Sequence, residues 1–293
     1  MWLMATTLVE PAELAAHLED PDWAIVDCRF ELADPEWGAR AYAAGHIPHA
    51  LYAHLDRDLS GKRTPRTGRH PLPQPAALAA TFGRLGIDGR VQVVAYDQAS
   101  GAFAARLWWL LRWLGHRQAA LLNGGLAAWQ RAGLPLSAAH EQRAPRQFVA
   151  AADDTMLAEG TEVAAAVDSG AFERGAALLV DARSAERFAG ENETLDAAAG
   201  HIPGARNHPF AANHDTQGRY LTAAELRRAW QQTLGEMDAR RVTAMCGSGV
   251  TACDNLLALE IAGFSGARLY AGSWSEWITD PAHAIARGPA TGH

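Results

Sequence analysis

Short apolar runs alternate along this chain with longer segments whose apolar residues recur at helical spacing. Val91-Gln92-Val93-Val94-Ala95-Tyr96 has the near-continuous apolar character of a strand buried on both faces. Ala102 to Leu114 then reads as an apolar helix, and Ala119 to Leu122 as the next strand. The order recurs further on: Arg241 to Met245 as a strand, Thr251 to Ala262 as a helix, Ala267 to Tyr270 as a strand. Strand–helix–strand alternation predicts parallel sheets covered by helices, an α/β fold. From about Ser137 to Asp154 no period holds, and Pro145 interrupts the stretch. A linker over 138–154 between domains at 1–137 and 155–293 is therefore expected.

The two halves repeat each other. Ala24-Ile25-Val26-Asp27-Cys28-Arg29 returns as Leu178-Leu179-Val180-Asp181-Ala182-Arg183. Ala44-Gly45-His46-Ile47-Pro48 returns as Ala199-Gly200-His201-Ile202-Pro203, and Gly124-Gly125 before Trp129 returns as Gly272-Ser273 before Trp277. The order is kept and the spacing hardly drifts, which identifies a duplicated domain.

The candidate chemistry lies in Met245-Cys246-Gly247-Ser248-Gly249-Val250-Thr251-Ala252. A cysteine closes a predicted strand, a loop with two glycines follows, and a helix begins. Sites in α/β sheets lie at the carboxyl ends of strands. The glycines let backbone N–H groups converge, and the helix start adds partial positive charge. Both features favour Cys246 as a thiolate and any anionic sulfur attached to it. The site suits a cysteine that alternates between thiolate and persulfide. Cys253, within the following helix, and Cys28, at a strand end, read as packing residues.

Two other readings of the loop fail on composition. A dinucleotide fingerprint calls for an acid ending the next strand, where Leu269-Tyr270-Ala271 stands. A cysteine phosphatase needs an arginine closing the loop, and Ala252 occupies that place. In the first half the matching position is Asp97, a carboxylate that cannot carry sulfur.

Composition narrows the classes further. The 293 residues carry a net charge of −7 and no basic run, which gives no support to nucleic-acid binding. Three cysteines do not make a disulfide framework and fit a reducing, cytoplasmic setting. The N-terminus does not read as a signal peptide. The stretch Leu107 to Leu114 is too short to span a bilayer, so no membrane association is expected. His46 and His201 recur in both halves and are read as serving the turn. No metal or cofactor motif is present.

Two Asp-x-Arg…Gly-His-Ile-Pro copies, a cysteine in the second copy alone, the loop CGSGVTA and Gly272-Ser273-Trp274-Ser275-Glu276-Trp277 together resemble the tandem-rhodanese sulfurtransferases. The likeness runs from about Leu8 to Ile278, and the loop is most similar to that of the 3-mercaptopyruvate sulfurtransferases. It implies two rhodanese-like domains, each a small parallel sheet flanked by helices, with the nucleophile in the second. It implies Cys246 as the sulfur carrier, with Ser248, His70 and Asp56 relaying protons. It implies Arg187 binding the donor's anionic group beside the loop residues Gly247, Gly249, Val250 and Thr251. The implied partners are a small anionic sulfur donor and an acceptor that is a thiol, thioredoxin or cyanide. Thiosulfate as donor and a non-enzymatic persulfide carrier are the alternatives. Family members commonly carry a second arginine shortly after the first. Here that stretch, Gly190 to Asp196, is acidic and has none.

Overall fold

The computed structural model describes residues 4–289. They form two compact units, each built on its own parallel sheet.

In the first unit the strands are β1 (Leu8–Val9), β2 (Trp23–Asp27), β3 (Leu51–Tyr52), β4 (Gln92–Tyr96) and β5 (Ala119–Leu122). The sheet order is β1-β5-β4-β2-β3, parallel throughout. The helices are α1 (Pro11–Ala16), α2 (Trp37–Ala44), α3 (Pro75–Arg84), α4 (Ala104–Trp113) and α5 (Gly125–Arg131). Both central strands, β2 and β4, are buried almost end to end, so helices must cover both faces.

The second unit holds β6 (Leu178–Asp181), β7 (Arg206–Asn207), β8 (Val242–Met245) and β9 (Arg268–Leu269) in the order β7-β6-β8-β9. Its pairs are again parallel. Its helices are α6 (Gly160–Asp168), α7 (Ala185–Ala189), α8 (Ala223–Leu234), α9 (Ala252–Ile261) and α10 (Ser273–Trp277). The α/β reading of the sequence is correct, and each predicted strand and helix is found within two residues of its expected ends.

The repeated motifs have a common physical role. Arg29 binds the Asp27 carboxylate through Nε at 2.9 Å and reaches the Gly45 carbonyl at 2.8 Å; Arg183 does the same with Asp181 at 3.0 Å and Gly200 at 2.7 Å. The buried ion pair at the end of a central strand thus fastens the Gly-His-Ile-Pro turn to the sheet. In that turn His46 Nδ1 bonds the Tyr42 carbonyl and stacks on its ring, while His201 does so with Phe188. Trp129 and Trp277 fill equivalent places in the two cores.

The units are not cut from the chain at one point. The first takes in the residues up to Gly61, Leu72–Asp153 and His214–Tyr220, while the second takes in Lys62–Pro71, Asp154–Asn213 and the residues from Leu221. The segment expected to link the domains packs on the first unit: Arg143 donates to the Trp23 carbonyl at 2.7 Å and Arg146 to the Pro21 carbonyl at 2.9 Å. In exchange, His214–Tyr220 is held in the first unit, where Tyr220 N–H donates to Asn123 at 3.0 Å and Arg219 pairs with Glu10 at 2.6 Å.

Candidate active site

Cys246 is the first residue after β8 and is buried, 2% exposed. The loop from Cys246 to Thr251 leads into α9. Its shape is imposed by the start of α10. The Cys246 carbonyl accepts from Trp274 N–H at 3.0 Å and the Gly247 carbonyl from Ser275 N–H at 2.8 Å. Gly249 lies in the left-handed region, φ +74°, and a Cβ there would stand 2.3 Å from the Ala271 carbonyl oxygen. No other residue fits that contact without moving the backbone.

Ser273 does the remaining work. It is a non-glycine residue at φ +55°, and its hydroxyl accepts from Cys246 N–H at 3.1 Å while donating to the Tyr270 carbonyl at 2.8 Å. The strained backbone is compensated by two buried hydrogen bonds that pin the nucleophile's main chain.

Around the sulfur, Ser248 N–H points at Cys246 Sγ over 3.4 Å. The Ser248 hydroxyl shares a 2.7 Å hydrogen bond with His70 Nδ1, and both side chains are buried. His70 comes from the Lys62–Pro71 segment of the first half, which belongs to the second unit. Its neighbour anchors that segment: Arg69 N–H donates to Ser275 Oγ at 2.9 Å, and Ser275 is the residue that also holds Gly247.

Two guanidiniums flank the loop. A Cβ on Gly247 would lie 3.0 Å from Arg69 Nη2 and 3.6 Å from Arg187 Nη2. Arg187, on α7, donates to Glu193 at 2.9 Å and to Asp196 at 3.0 Å. Arg69 donates to the other oxygen of Asp196. The Glu193 and Asp196 side chains are only 2% and 3% exposed, which charged carboxylates tolerate because arginines and backbone N–H groups surround them. Burial alone would raise the Glu193 carboxyl. The Leu195 N–H, the Arg187 guanidinium and the Asp196 N–H outweigh it and hold that carboxyl below its usual range.

The rhodanese-like domain model matches residues 10–132 and again 162–280. A Pseudomonas aeruginosa protein provisionally named a 3-mercaptopyruvate sulfurtransferase is 48% identical over 98% of this chain and 100% of its own length. A Mycobacterium tuberculosis protein, SseB, provisionally assigned as a thiosulfate sulfurtransferase, is 39% identical over 97% of this chain and 98% of its own. The crystal structure of SseA from Escherichia coli, described as a 3-mercaptopyruvate sulfotransferase, superposes with a TM-score of 0.78 at 33% identity, covering 93% of this chain and 100% of that one. The chain belongs to the tandem rhodanese-like sulfurtransferases.

Within that family frame, Cys246, Gly247, Ser248, His70 and Arg187 all fall in the second unit and gather around one loop. Gly249 supports the loop against Ala271, Val250 is buried, and Thr251 is the N-cap position of α9. Asp56 belongs to the first unit, where it is exposed and its N–H donates to His54 Nδ1 at 3.1 Å. Arg69 and Ser273 were not singled out in the sequence. Ser273 sat unnoticed inside a repeat marker. The signal for Arg69 was its adjacency to His70, and it could not be weighed while the segment's place was unknown.

The first half has the counterpart loop without the chemistry. The Asp97 carboxylate accepts from the N–H groups of Ala99 at 3.1 Å, Gly101 at 2.9 Å, Phe103 at 2.8 Å and Ala104 at 3.3 Å. The fold's anion-gathering turn is there filled by the protein's own side chain. Burial still raises the Asp97 carboxyl above its ordinary value. Cys28 is likewise unsuited to nucleophilic work: burial, then the Asp27, Asp97 and Asp58 carboxylates, push its thiol well up. Cys253 lies in α9 with its sulfur 3.3 Å from the Gly249 carbonyl.

Among the described residues no helix is long and apolar enough to cross a membrane.

Proposed function

We propose that the chain moves sulfane sulfur from 3-mercaptopyruvate to a thiol acceptor, or to cyanide in an assay, through a persulfide on Cys246. The observation that carries this reading is the Ser248–His70 hydrogen bond of 2.7 Å beside the cysteine. In the first step the Cys246 thiolate attacks the donor's sulfur and the sulfur–carbon bond breaks. Pyruvate leaves as an enolate whose carbon must gain a proton, while the donor's thiol loses one, so the balance closes on an enzyme persulfide anion. A hydroxyl coupled to an imidazole can deliver that proton, and Ser248 with His70 fills this role. Asp56 joins the relay on the family pattern alone. Arg187 binds the donor's carboxylate, with Gly247, Gly249, Val250 and Thr251 shaping the loop that surrounds the sulfur. Thioredoxin is the physiological acceptor of this reading. A cytoplasmic site of action accords with the three free cysteines.

Thiosulfate as donor is the second reading, and the two arginines beside Gly247 favour it. Sulfite leaves as an anion and needs positive charge more than a proton. Steady-state kcat/KM for the two donors separates them. Mercaptopyruvate should be the better substrate by tenfold or more; a higher value for thiosulfate overturns the assignment.

A further inference from the structure

We infer that the Ser275 hydroxyl is the positioning group that holds His70 in register with Ser248; the kinetic consequence rests on the proton-relay reading above.

Lys62–Pro71 contains no helix or strand. Its internal hydrogen bonds lie in the turn from Thr64 to Thr67 and do not reach His70. The position of His70 is therefore set from outside the segment. The residue before it, Arg69, donates its N–H to Ser275 Oγ at 2.9 Å. Ser275 is buried, so loss of its hydroxyl would leave that N–H without an acceptor. The Ser275 N–H donates at 2.8 Å to the carbonyl of Gly247, the residue before Ser248. One residue of α10 thus carries both members of the relay, each one position beyond its point of attachment. Gly68 completes the joint. A Cβ there would stand 2.5 Å from the Gly272 carbonyl oxygen and 3.0 Å from Ser275 Oγ, so the segment lies flat against the turn that opens α10. The Arg69 side chain is also held, by Asp196. A long side chain can follow a shift of its own backbone, so that bond does not fix the main-chain register. The register matters because proton transfer needs heavy atoms within about 2.6–3.2 Å, and the His70–Ser248 bond is 2.7 Å.

Ser275→Ala deletes the hydroxyl and keeps the N–H that holds Gly247, which separates the two attachments. kcat is measured with mercaptopyruvate and with thiosulfate for the wild type, Ser275→Ala, Ser275→Thr, His70→Asn and the Ser275→Ala/His70→Asn double variant. A displacement of about 1 Å can cost on the order of a hundredfold in rate. Ser275→Ala should therefore lower kcat with mercaptopyruvate about ten- to a hundredfold and with thiosulfate much less. Ser275→Thr, which keeps a hydroxyl, should recover most of the loss. On the His70→Asn background Ser275→Ala should cost less than about twofold, because its effect passes through His70. Equal losses with both donors, or the full loss repeated in the double variant, would assign Ser275 to the shape of the loop and overturn the proposal. A second measurement needs no donor. The imidazole resonance of His70, identified by its absence from His70→Asn, should move in Ser275→Ala toward the position it takes in Ser248→Ala. An unmoved resonance overturns the proposal. A moved resonance, with no donor selectivity in His70→Asn or Ser275→Ala, would remove the proton relay and uphold the positioning role. If Ser275→Ala fails to fold, Gly68→Ala presses the segment away from the same joint and should shift both readouts in the same direction.

Discussion

His70 and Ser248 stand 178 positions apart in the chain and share a buried 2.7 Å hydrogen bond next to the sulfur of Cys246. The contact exists because Lys62–Pro71, a piece of the first half, is built into the second unit. Ser275 clamps the arrangement from below, holding Gly247 with its N–H and Arg69 with its hydroxyl.

That pair bears on one step. On the proposed mechanism Ser248→Ala removes the proton donor for the leaving enolate and should lower kcat with mercaptopyruvate by about a hundredfold or more. Thiosulfate turnover, which releases sulfite without needing that proton, should fall far less. His70→Asn should follow the same pattern. Parallel steady-state assays with the two donors check this; equal losses with both would assign Ser248 to the loop's shape and not to proton transfer.

The Glu193 carboxylate beside Arg187 sets a pH dependence. Glu193 has its folded carboxyl below the ordinary value, which is about 4.3 in an unfolded chain. The folded state therefore binds fewer protons than the unfolded chain in that region, and stability falls with the pH. The contribution is complete above the unfolded value and is lost as the pH drops from there through the folded one. Glu193→Gln should lower Tm near neutral pH and make its decline in acid shallower. Thermal melts from about pH 7 to pH 3 read both effects, and parallel curves for variant and wild type would remove Glu193 from the account.

Asp97 should matter for stability and not for sulfur transfer. Asp97→Ala leaves four backbone N–H groups without their shared acceptor, a loss of roughly 3 kcal/mol or more. Denaturant unfolding should show this, while kcat/KM below the melting range stays near wild type. A variant as stable as the wild type would mean that water satisfies the turn equally well.

Much of this architecture could be read from the sequence. The apolar runs at Val91–Tyr96 and Arg241–Met245 became β4 and β8 because strands buried on both faces leave a continuous signal. Cys246 could be located because a strand end, two glycines and a helix start are local features. The surroundings of the sulfur were less accessible. The loop itself contains no basic residue, whereas Arg69 and Arg187 both reach Gly247 from outside it. The acidic stretch after Arg187 looked like a departure from the family pattern. It supplies Glu193 and Asp196, which hold the two arginines. The part played by Arg69 cannot be inferred from spacing, because it depends on where Lys62–Pro71 packs. Ser273 was hidden for another reason: nothing in the residue name announces a left-handed backbone.

The central claim is that sulfur is carried on Cys246, and mass spectrometry of the donor-treated protein tests it most directly. Cys28 and Cys253 are internal controls: both are buried, Cys28 beside carboxylates that push its thiol up and Cys253 within α9 with its sulfur turned to the Gly249 carbonyl. After brief incubation with mercaptopyruvate in the absence of acceptor, the peptide containing Cys246 should gain about one sulfur mass, because one covalent intermediate forms per site. Adding cyanide should return the peptide to its original mass as thiocyanate appears, and Cys246→Ser should show neither change. Sulfur found on Cys28 or Cys253, together with transfer activity surviving in Cys246→Ser, would contradict the account.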